Sequence, residues 1–127
     1  MALQEISDNS IQQILAFRTR FEAQTGVAVA NVAAPAVQEV HKLLADFVAT
    51  LDVHGFTQVF DTQAFLESIG PNNANSAAFL ATVDADTLRK LITAHIRMER
   101  FVRGHLQILV ANGYFLSFFN RLQALNA

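Results

Sequence analysis

The chain has 127 residues, 52% of them apolar, with 11 phenylalanines, no tryptophan and a formal net charge of −2. This length and composition give a single domain, residues 1–127, able to bury a real core, and they exclude disorder over most of it. The absence of cysteine removes disulfides and thiolate chemistry and fits a reducing cytosol, so a cytoplasmic location is expected.

The opening M-A-L-Q-E-I-S-D has no basic region followed by an apolar run, so no signal peptide is expected. No uninterrupted apolar stretch reaches ~18 residues, so no membrane span and no membrane partner are expected. Ser7, Asp8 or Ser10 can cap a first helix that runs to about Ala23. Ile11, Ile14, Leu15, Phe17 and Phe21 recur there at helical spacing. Thr25-Gly26 ends it. Val27–Ala34 is small and apolar; the alternation suits a strand, but nothing else in the chain would pair with it, which favours a packed linker or helical turn.

Pro35 suits a first helical position. From there to about Val53 a second helix carries Val37, Val40, Leu44, Phe47, Val48 and Leu51, with His41 on the same face. His54-Gly55 stops it, and F-T-Q-V-F (56–60) forms an aromatic connector. Asp61 or Thr62 caps a short helix through Ile69. Gly70 to Asn75 is dense in turn formers and reads as a loop, and Ser76 caps a short turn with Phe79 and Leu80.

Asp84 or Asp86 can cap the longest helix, which runs to Asn112-Gly113, about 26 residues or roughly 39 Å. Its apolar arc takes in Leu88, Leu91, Ile92, Met98, Phe101, Val102, Leu106, Ile108, Leu109 and Val110. An arc that wide predicts a central helix with neighbours on two sides. His95, Glu99 and Arg103 stand at i, i+4 and i+8, a polar ladder along one line of the helix. Arg89, Arg97, Arg100 and Arg103 form a basic strip on the far side. Gly104 lies inside the helical pattern, where glycine costs ~1 kcal/mol against alanine; a close approach by another backbone or by something bound would account for it. Tyr114, Phe115, Phe118, Phe119 and Leu122 crowd a last helix ending near Leu125 and form a candidate homodimer interface, with cover by the Ile11–Phe21 helix as the competing arrangement.

The fold expected is therefore all-α: a bundle of four main helices plus one or two short ones. Arg97-x-Glu99-Arg100-Phe101-x-x-Gly104, followed by Gly113 and Arg121-Leu122, resembles the C-terminal signature of a group of short bacterial proteins known only as a domain of unknown function. The resemblance spans roughly Asp84 to Leu125. It implies a small helical domain and transfers no catalytic residue.

Three functions compete on these residues. A non-catalytic protein-interaction or regulatory module, with a protein partner and homodimerisation, fits the surplus of apolar helix surface. A nucleic-acid or polyanion binder would use the basic strip, since residues 87–127 hold six basic residues and one acidic against three and ten in residues 1–86. Six basic residues are few for that task, and attraction between the two halves within one fold explains the asymmetry more simply. A small enzyme or ligand-binding protein would use Glu99 with His95. No H-E-x-x-H, phosphate-binding glycine loop or nucleophile elbow is present, so no catalytic residue, cofactor or metal is assigned.

Overall fold

The computed structural model describes residues 6–24 and 34–126, and every regular element among them is a helix. The chain is all-α. Thr25-Gly26 and the alternating stretch from Val27 lie outside the described residues.

Helix α1 (Asp8–Leu15) opens at Ser7, whose hydroxyl accepts the Ser10 N–H at 3.1 Å, and buries Ile11 and Ile14. The chain then turns at Ala16 and Phe17 before α2 (Arg18–Gln24) buries Phe21. One expected helix is thus two. The turn leaves the rings of Phe17 and Phe21 5.4 and 5.0 Å from that of Phe47, in the second half of α3 (Ala34–Val53). Gly55, at φ 69°, follows the end of α3. Asp61 caps α4 (Thr62–Ile69) through the Ala64 N–H, and Ser76 caps α6 (Ala77–Leu80) through that of Phe79. Between them, residues expected as a loop form the single turn α5 (Pro71–Ala74). Asp84 caps α7 (Ala85–Met98). The bond it accepts from the Thr87 N–H, at 2.8 Å, is the main reason its carboxyl is held below the ordinary range.

The main departure from expectation lies after Met98. The long helix stops there, six residues form a turn, and α8 (His105–Ala111) starts anew from Gly104 at φ 88°. A Cβ built on Gly104 would meet nothing within 4 Å, so the expected close approach is absent and the glycine serves the left-handed backbone instead. Gly104→Ala should therefore cost about 1–2 kcal/mol through that backbone alone. Urea titration checks it, and an unchanged midpoint would contradict the account. The break also resets the helical phase. Phe101, Val102 and Ile108, placed on the buried arc by their spacing, are 87%, 51% and 60% exposed.

Helix α9 (Tyr114–Leu125) lies in the middle of the molecule. Tyr114, Phe115, Phe118, Phe119 and Leu122 are at most 1% exposed. The Phe21 ring sits 4.9 Å from Phe115 and 5.2 Å from Phe119, and Phe47 lies within 6.0 Å of Phe115, Phe118 and Phe119. Phe56 closes on Phe118 from the connector at 5.8 Å. These residues are thus core rather than an interface: α2 and α3 fold back over the apolar side of α9, which exposes little of it to a second chain.

Candidate functional site

Two features meet where α7 ends: a buried polar node and an open apolar groove. His95 is fully buried near the end of α7. Its Nε2 lies 2.8 Å from the Ala74 carbonyl and 3.0 Å from the Tyr114 hydroxyl, which itself donates to Ala74 at 3.2 Å. A carbonyl only accepts, so Nε2 carries the proton and Nδ1 is bare. Nδ1 then accepts from Nε2–H of His105, 2.9 Å away, with the two rings stacked at 5.0 Å. Burial lowers the pKa of His95 to about 4; the Ala74 carbonyl opposes the shift and the neighbouring His105 adds to it. Burial also lowers His105, against the pull of the Glu99 carboxylate, and pushes the Tyr114 hydroxyl well above its ordinary range. The node is thus neutral near pH 7, with its donors and acceptors matched.

Glu99 serves a different purpose from its place in the expected ladder. Its two carboxylate oxygens each accept a backbone N–H at 2.8 Å, from Gly104 and Leu106. It reaches across the turn and caps α8, where helix N–H groups lack partners and negative charge is favoured. The interrupted helix dissolves the i, i+4, i+8 ladder: His95 belongs to the buried node, Glu99 to the cap, and Arg103 is exposed. His41, placed by its spacing on the apolar face of α3, is exposed, and the imidazole that meets His95 is that of His105.

The basic strip divides as well. Arg89 donates to the carbonyls of Phe56 and Gly55 at 3.0 and 2.9 Å, and Arg97 to those of Phe60 and Gln58 at 3.1 and 3.0 Å. The buried Thr93 hydroxyl accepts the Gln58 N–H at 3.2 Å. The two arginines and Thr93 bolt the 55–60 connector onto α7, satisfying backbone groups that no regular element pairs. Arg100 and Arg103 alone of the strip are exposed, both on the turn.

The connector, α4, the end of α5, the end of α7 and the turn enclose a groove of about 830 Å³. Ala74 and Ala94 line it beside Leu66, Met98, Phe101 and Val102, with Asp61, Glu67 and Arg97 among its few charged groups. His95, Glu99, His105 and Tyr114 do not line it. Its size and mainly apolar lining suit a drug-sized ligand or a few inserted side chains. The node meets the groove only through Ala74, whose carbonyl His95 and Tyr114 hold.

A family model described as a family of unknown function (DUF6508) matches residues 6–127. The chain belongs to that family. No curated protein and no solved structure matches it. Membership in DUF6508 covers nearly the whole domain and carries no activity with it. Of the residues that carry the resemblance to such a family, Glu99, Arg100, Phe101 and Gly104 build the turn and its cap, Arg97 lies just before it in α7, and Arg97 and Phe101 also line the groove. Among the described residues, no group of three or more His, Cys, Asp or Glu side chains is placed to hold a metal ion, and no helix is long and apolar enough to cross a membrane. The node's other members, His105, Tyr114 and the Ala74 carbonyl, escaped the sequence because 10 to 21 residues separate each from His95.

Proposed function

We propose that this domain is a non-catalytic protein-interaction module whose docking site is the groove beside the α7–α8 turn. The observation that carries this reading is Phe101, a large apolar side chain 87% exposed to water at the edge of an apolar groove. A side chain so placed contributes nothing to the core, and it gains roughly 1.5–3 kcal/mol when a partner covers it. A catalytic role is less well supported, because His95 and Glu99 are satisfied by other groups and stand apart from the groove. A nucleic-acid role is weakened by the commitment of Arg89 and Arg97 to backbone carbonyls. A cytosolic setting belongs to the same reading and rests on the cysteine-free sequence.

Selection from a displayed peptide library, with counter-selection against Phe101→Asp, tests it. The enriched peptides should each carry a large apolar anchor and shift the amide resonances of Leu66, Met98 and Val102. Their affinity should fall about tenfold or more in Phe101→Asp, since ~1.4 kcal/mol is a factor of ten. Peptides whose shifts map elsewhere, or that bind Phe101→Asp equally well, would overturn the proposal.

A further inference from the structure

The groove is acidic along α4 and borders a basic turn. Asp61 and Glu67 line it from the α4 side and are exposed; Arg100 and Arg103, also exposed, adjoin in the chain the lining residues Phe101 and Val102 of the turn. None of the four forms an ion pair among the described residues, in contrast to Arg20 with Asp46 and Lys90 with Asp86. An acidic wall, an apolar floor and a basic border make a surface complementary to itself under a two-fold rotation about an axis along the groove, because that rotation sets each acidic wall against the other copy's basic turn. The apolar component is self-matching too. Phe101 stands exposed at the edge of a groove with room for a ring.

From this charge complementarity we infer that the groove's occupant is a second copy of this chain, in an isologous dimer where each Phe101 enters the partner's groove. The inference rests on the interaction reading and names its partner. Arg100 and Arg103 of one copy then face Glu67 and Asp61 of the other. Each contact occurs twice, so each substitution counts twice. This dimer uses a surface distinct from α9, whose aromatic side chains are internal.

Sedimentation across the micromolar range with paired charge reversals tests it. The wild-type mass should climb from 14.0 kDa toward twice that value with concentration. Phe101→Asp should weaken the dimer about tenfold or more while leaving the thermal midpoint of the dilute monomer unchanged, because the ring is exposed there. The Arg100→Glu/Arg103→Glu variant should stay monomeric alone, and so should Glu67→Lys. Mixed one to one, the two should form a heterodimer, since one contact then keeps its two arginines against Asp61 and Glu67 and the other sets the reversed turn against the lysine substituted at position 67, which offsets the retained Asp61. Asp61 is left intact because its carboxylate caps α4. A wild-type mass of 14.0 kDa at every concentration, or reversed copies that fail to pair, would overturn the dimer. If the wild type is monomeric yet groove-directed peptides still require Phe101, the dimer alone is wrong; if both are lost, the interaction reading falls with it.

Discussion

Lowering the pH from 7 to 4 should remove about 3 kcal/mol of folding stability through His95 alone. In the unfolded chain an imidazole titrates at its ordinary value of 6.5, whereas burial holds the folded one at about 4. Between those values the unfolded chain binds a proton that the folded chain refuses. The stability is therefore fully present above pH 6.5, falls as the pH drops, and levels off below about 4. The geometry explains the refusal. Nε2 already donates to the Ala74 carbonyl, so an added proton must go to Nδ1, which faces the N–H of His105 at 2.9 Å. It fits only if His105 moves its own hydrogen to its other nitrogen. His105 is itself lowered by burial and adds to the loss in the same sense. Asp84, lowered from 3.8, loses its contribution at more acidic pH, which separates the two windows. Urea titrations at several pH values check the size of the loss. His95→Gln should be less stable at pH 7 and should flatten the dependence between pH 6.5 and 4 to the part His105 supplies. A wild-type profile flat over that range, or one left unchanged by the substitution, would contradict the buried neutral imidazole.

What the sequence disclosed follows from the range of the physics involved. Ile11, Ile14, Phe21, Phe47, Leu51, Leu88 and Leu91 are all at most 1% exposed, because apolar periodicity reports which face a helix buries. Ser7, Asp61, Ser76 and Asp84 cap helices as their chemistry allows, since a cap is a contact over three residues. Periodicity failed at Gly104. The apolar spacing carries straight through Phe101 and Val102, and only the glycine inside the pattern marked the break. Its destination, a left-handed turn rather than a packing contact, depends on Glu99 being long enough to cap the next helix. The basic strip misled for a related reason. Arg89 and Arg97 satisfy carbonyls 33 to 39 residues away, and no local pattern records a connector in need of donors. The crowded aromatic face of α9 was visible, but what covers it was left open between a second chain and the N-terminal segment. The structure places Phe21 there.

Replacing Glu99 with alanine should cost about 3 kcal/mol, because hydrogen bonds to a charged acceptor contribute ~1.5–3 kcal/mol each and two are lost together. Both N–H groups lie at the start of α8, a helix of only seven residues with no side-chain bond from its N-cap glycine. Glu99 supplies that missing cap from five and seven positions upstream, and in doing so fixes the span that carries Phe101. Loss of the carboxylate should therefore act at two levels. Global stability falls, and the turn wall of the groove loosens before the rest of the domain, so the Leu106 amide exchanges hydrogen at least tenfold faster while amides in α3 slow-exchange as before at matched global stability. Glu99→Gln separates charge from reach. Its single carbonyl oxygen keeps one bond and turns an amide toward the other N–H, so it should recover less than half of the loss. Denaturant titration with amide exchange measures both effects. If Glu99→Ala leaves stability and the Leu106 amide unchanged, the carboxylate is not the cap of α8 and the turn is held by something else.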